Sequence, residues 1–78
     1  MKKTIKALLE LKNKSQVDIA PEFSMSKESF NNKLRSAETR FNLSDLVKLA
    51  ELTGTQLSFT DKETGKILVS FDNEDIKK

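Results

Sequence analysis

The sequence contains no cysteine and no histidine. The first absence excludes disulfides and thiolate metal sites. The second removes the commonest zinc ligand and the commonest general base. Tryptophan and tyrosine are missing too, which leaves five phenylalanines as the only aromatics. Proline occurs once, at Pro21, and glycine twice, at Gly54 and Gly65. Glycines so placed do not form a phosphate-cradling loop; they read as punctuation between segments. No apolar run exceeds four residues, so nothing is expected to span a membrane. The lysine-studded start MKKTIKALLELKNK lacks the apolar centre of a secretory signal. These absences predict an intracellular, cytoplasmic domain without cofactor or metal. Catalysis would rest on carboxylates, lysine or serine, and none of these sits in a recognisable constellation, so an enzyme is not expected.

What is present is charge, unevenly distributed. The 78 residues carry a formal net charge of +2. Residues 1–40 hold nine Lys/Arg against five Asp/Glu, whereas residues 41–78 hold five against seven. A basic first half and an acidic second half suit a chain that turns one face to a polyanion, although lysines also merely solubilise helix surfaces. The length is that of one domain, near the lower limit for a core without disulfides or metal.

Taken in order, Thr4 is the expected cap of a first helix over Ile5 to Lys12. Ile5, Leu8, Leu9 and the stem of Lys12 form its apolar stripe, and Asn13 is its stop. Ser15 and Asp18 form an approximate capping box for a second helix with Val17, Ile19, Ala20 and Phe23 as apolar positions. Pro21 cannot donate to the carbonyl of Val17, so a kink or a tightened 3₁₀-like turn is expected there. Phe23-Ser24-Met25 is the turn, and Ser26 caps a third helix over Lys27 to Arg35. In that helix Phe30 and Leu34 face inward, Met25 staples to Phe30, and every other position is polar. Ser36 to Arg40 reads as a polar loop. Asn42 then caps a fourth helix, Leu43 to Thr53, with Asp45 as its box acid, a Phe41–Leu46 staple and Gly54 as its closure. It is the most apolar helix. Beyond Gly54 the period changes to two. Leu57 and Phe59, then Ile67, Val69 and Phe71, alternate with other residues around the turn DKETG, which predicts a β-hairpin. Asn73 to Lys78 is expected to fray.

The outward side of the third helix carries Lys27, Glu28, Asn31, Asn32 and Lys33, with Ser29 as a small adaptable group. Lys pairs with guanine, Asn with adenine and Glu with the cytosine amino group in the major groove. Solvated helix residues would have the same composition; two short capped helices around a turn, with basic residues nearby, favour recognition of DNA.

Gln16, then Ile19-Ala20, then Met25-Ser26 and a polar third helix resemble the helix-turn-helix of the phage repressor and Cro family, also called XRE-like. The resemblance continues through Arg40-Phe41 and the helix Leu43 to Leu52, covering roughly residues 4–55. It implies a mainly α fold: a four-helix repressor-like domain over 4–55, followed by a C-terminal β-hairpin over 56–72 and a tail over 73–78. It implies base edges for Lys27, Glu28 and Asn32, with Ser29 and Asn31 beside them, and phosphate contacts for Gln16, Ser26, Lys33, Arg35 and Arg40. Three departures stand out. Ser24 replaces the glycine commonly left-handed in the turn, so that turn is expected to be altered or strained. Pro21 breaks the second helix. The hairpin replaces a fifth helix, and by analogy with Cro-type proteins its edge would form a dimer through Leu68, Val69 and Ser70.

The function implied is that of a sequence-specific DNA-binding regulator, a repressor acting as a homodimer on a pseudo-palindromic operator in double-stranded DNA. The competing reading is a protein-interaction module, antitoxin-like or a phage adaptor, whose hairpin edge takes a strand from a protein partner. RNA binding is disfavoured by the missing Tyr and Trp.

Overall fold

The structure, a computed structural model, describes residues 1–72 and 74. The expected fraying tail lies, apart from Glu74, outside the described residues. The chain is mainly helical, with a two-stranded antiparallel hairpin near its C-terminus, and it divides into two compact units, Met1–Asn42 and Leu43–Lys78.

In the first unit, α1 spans Lys2–Leu11 and starts at Met1 without a side-chain cap; Thr4, expected as the cap, lies inside the helix. Ile5 and Leu9 are buried and Leu8 half-buried, while Lys12 is exposed and does not extend the stripe. Asn13 closes the helix with φ 57°, donating to the carbonyl of Glu10 while Lys14 donates to that of Leu9 at 2.8 Å. This is the left-handed closure that asparagine tolerates better than most residues.

The capping box of α2, Gln16–Ile19, is complete: the Ser15 hydroxyl accepts from the Asp18 N–H and the Asp18 carboxylate accepts from the Ser15 N–H. Ile19 and Ala20 are buried, but Val17, expected to face inward, is 59% exposed. Two positions apart on a helix are about 200° apart, so Val17 and Ile19 cannot share a face. Pro21 ends α2 as expected, and Ala20–Phe23 tighten into a 3₁₀ turn. Ser24 then adopts φ 57° and ψ 41°, and its N–H and that of Met25 return to the carbonyls of Pro21 and Ala20.

Helix α3, Lys27–Arg35, starts where Ser26 accepts from the Ser29 N–H at 3.1 Å. Phe30 and Leu34 are fully buried, and α3 touches α1, α2, the 3₁₀ turn and the next helix. That next helix is a correction to the expected loop: Ala37–Arg40 form α4, with Ala37 fully buried. Ala37 opens a separate helix after the non-helical Ser36 (φ −116°), so its burial does not follow from the spacing of Phe30 and Leu34. The four helices expected are therefore five α-helices and a 3₁₀ turn among the described residues. Phe23, Phe30 and Phe41 gather into one aromatic cluster with centroids 5.5 to 6.3 Å apart.

In the second unit, α5 spans Leu43–Thr53 and buries Val47, Leu49, Ala50 and Thr53. The Thr53 hydroxyl donates to the Leu49 carbonyl at 2.9 Å, which satisfies the one buried polar side chain among the described residues of this unit. Gly54, with φ 67°, closes the helix. Strand β1, Leu57–Thr60, lies against α5 and pairs with β2, Ile67–Phe71. The turn is held by Asp61, whose carboxylate accepts from the N–H groups of Glu63 and Thr64, and by Gly65 at φ 75°. Leu57 faces Phe71 and Phe59 faces Val69, but Thr60 faces Ile67, so Leu68 is the extra residue of a β-bulge. Ile67, expected on one face with Val69 and Phe71, is thereby taken out of that alternation.

No helix among the described residues is long and apolar enough to cross a membrane.

Candidate nucleic-acid interface

The site is built on α3, whose buried side is fixed by Phe30 and Leu34. A helix anchored on two residues one turn apart presents its opposite side as a fixed array. Lys27, Glu28, Ser29, Asn32 and Arg35 are exposed there. Asn31 was expected among them and is half-buried, because one step of about 100° from Phe30 leaves it on the flank of the buried stripe.

Ser29 and Asn32 line a cleft of about 370 Å³ together with Met25, Lys33 and Arg40. Among the described residues no carboxylate lines it. Arg40, the last residue of α4, is exposed, and the short helix α4 places it beside the cleft that Ser29 and Asn32 line. Lys33 is half-buried, with its ammonium 5.2 Å from the Phe41 ring centre and 5.8 Å from that of Phe23. At these distances the ammonium is attracted by both rings, and the same residue lines the cleft. Met25, read from the sequence only as a staple, was missed as a cleft residue. Its signal was its place beside the cap of a polar helix.

A second cleft, of about 270 Å³, is lined by Lys6, Leu9, Glu10, Lys14, Ser15 and Gln16. Gln16 is half-buried, and its amide oxygen is buried with no hydrogen-bond partner among the described residues. Lys6 and Lys14 beside it were not singled out from the sequence. Lys6 precedes Leu9 and Glu10 by three and four residues, which sets all three on one side of α1. Ser26 is exposed and spends one acceptor site on its cap, which leaves its O–H a donor.

Two carboxyl groups near these clefts are shifted, both downward. Asp18 is lowered chiefly by the Ser15 backbone N–H and then by the Ser15 hydroxyl. Glu38 is lowered chiefly by its hydrogen bond from the amine of Met1, 2.9 Å away. Both therefore remain ionised, and both serve local structure rather than proton transfer.

Leu68, Val69 and Ser70 of β2 are all exposed, and the Ser70 hydroxyl lies 3.2 Å from the Gln56 amide oxygen, to which it donates. They lie in the other compact unit from α3. Among the described residues no group of His, Cys, Asp and Glu is arranged to hold a metal ion. Comparison with protein-family models, curated proteins and solved structures finds no match to this chain.

Proposed function

We propose that the chain is a sequence-specific DNA-binding regulator, with α2, the 3₁₀ turn and α3 acting as a helix-turn-helix and α3 lying in the major groove. The observation that carries this reading is the first cleft. Two side chains able to bond base edges, Ser29 and Asn32, share it with two cations, Lys33 and Arg40, and, among the described residues, with no acid. Base readers flanked by phosphate neutralisers are what groove recognition requires. The left-handed Ser24 adds support, since it makes the turn that glycine ordinarily makes in such motifs.

In this reading Lys27, Glu28 and Asn32 read bases, Ser29 fits beside them, and Gln16, Ser26, Arg35 and Arg40 meet phosphates. Lys33 lines the cleft with its ammonium over Phe23 and Phe41 and adds positive charge there. The protein acts as a repressor-type homodimer, with half-sites about one helical turn, roughly 34 Å, apart.

Selection from a random duplex library tests the proposal. Enrichment of a two-fold symmetric motif is expected, and its retention should fall steeply with salt. Recovery of no motif, or retention indifferent to salt, overturns it.

A further inference from the structure

Among the described residues that line the first cleft, Met25 is the one apolar residue. It is half-buried and directly precedes Ser26, the cap of α3. Ser29 lies three residues from Asn32 and four from Lys33, so these three share one side of the helix. Asn32 stands two residues from Phe30 and two from Leu34, about 200° away from each, on the side opposite the buried stripe. A hydrophobic staple alone would cover Met25, yet Met25 lines an open cleft of about 370 Å³ among hydrogen-bonding and cationic neighbours.

One apolar residue in a polar frame does not make a pocket for an apolar ligand. It suits a partner with one methyl group beside polar atoms. On the major-groove edges of a duplex that description fits thymine, with its C5-methyl next to the O4 acceptor; adenine, guanine and cytosine present nitrogen and oxygen acceptors and amino donors there. Any other base edge set against Met25 would lose water from a polar group without gaining a hydrogen bond in return.

We infer that Met25 packs against a thymine methyl within one base step of the adenine that Asn32 bonds, so that the first cleft selects A·T pairs. The inference rests on the DNA-binding reading and deepens it. Met25 becomes a specificity residue placed ahead of the recognition helix. Ser29, in the same cleft, can donate to the O4 beside the methyl. The unbranched, polarisable thioether adapts its shape to a small apolar group better than a β-branched side chain does.

Deoxyuridine substitution tests the inference, since deoxyuridine keeps the hydrogen-bonding groups of thymine and lacks only the methyl. In a duplex selected with the full chain, each thymine is replaced in turn and affinity is measured at one salt concentration. At least one thymine in each half-site should be sensitive, weakening binding about fourfold, as expected for one buried methyl group. Met25→Leu, which keeps the apolar character and nearly the volume, should retain that sensitivity. Met25→Gln and Met25→Ala, each with the helical circular dichroism of the parent, should lose it. The sensitive thymine should lie within one base step of the position whose preference Asn32→Ala relaxes. A parent chain that binds the duplex and is indifferent to every deoxyuridine overturns the inference and leaves the DNA reading standing. Sensitivity unchanged in a folded Met25→Gln or Met25→Ala chain assigns the methyl to another residue and overturns it too. A sensitive thymine remote from the Asn32 position overturns the shared cleft. Recovery of no duplex at all is the failure of the DNA reading itself and removes both.

Discussion

Ser24 holds the left-handed conformation that a side chain with a Cβ adopts reluctantly, yet the turn on either side of it is closed by two backbone hydrogen bonds. The bonds hold the strain in place; they do not remove it. Ser24→Gly should therefore stabilise the protein, by up to about 1 kcal/mol, and Ser24→Val should destabilise it, both read from denaturant midpoints. Asp18 makes a different contribution. Its carboxylate accepts from Ser15 and its pKa is lowered in the fold, so the stability it adds is present above the unfolded aspartate value. It is lost as pH falls through the lowered folded value. The advantage of the parent chain over Asp18→Asn should thus shrink steadily below about pH 4 in acid unfolding curves. Lys33 illustrates how a residue can be read correctly as basic and still be misjudged. Its charge was legible; its position over Phe23 and Phe41 was not, because those rings come from the 3₁₀ turn and from the residue after α4.

At the scale of elements, α3 is both the reading helix and the centre of its unit. It packs against every other element of Met1–Asn42, and Phe30 and Leu34 are its fully buried residues. Loss of either anchor should therefore abolish binding by unfolding the unit and not by altering recognition. Phe30→Ala should remove about 3–5 kcal/mol, visible as lost cooperative melting at moderate temperature. Changes on the outer side should leave melting intact and separate by role. Glu28→Ala and Asn32→Ala should relax preference at single base positions, by about 1–3 kcal/mol, whereas Arg40→Ala should weaken all duplexes alike and reduce the salt slope by about 1. Most of this candidate site was legible in the sequence, because polar residues around two apolar anchors at helical spacing define an outer face without any knowledge of neighbours. Asn31 was not, since its half-burial depends on what flanks the stripe. Nor was α4: four polar or small residues around a single alanine carry no periodic signal, and a helix of one turn forms only when tertiary contact buries Ala37.

For the whole molecule the relevant quantity is charge against polyanion. A net charge of +2 is too small to hold DNA by itself; the first forty residues carry the positive excess. If each of two copies neutralises three or four phosphates, the logarithm of affinity should fall with the logarithm of salt with a slope of about −5 to −7, measured by titration of a selected duplex. A slope near −1 would leave the basic clefts without a role. In this reading Met1–Asn42 holds the residues proposed to meet DNA.

Local chemistry determined a large part of this protein from sequence alone. Ser15 with Asp18, Ser26, Asn13, Gly54 and Gly65 mark where helices and the hairpin turn begin and end, because capping and left-handed closure involve residues no more than six apart. Pro21 dictated a tightened turn for the same reason. Tertiary structure alone decided which apolar residues are covered. Val17 and Phe59 belong to the residue class that fills cores, yet both stand in solvent, while Ala37 and Thr53 are buried. Burial depends on what packs opposite, and a bulge such as that at Leu68 depends on the register of the partner strand. Neither is written within a few residues of the side chain it governs.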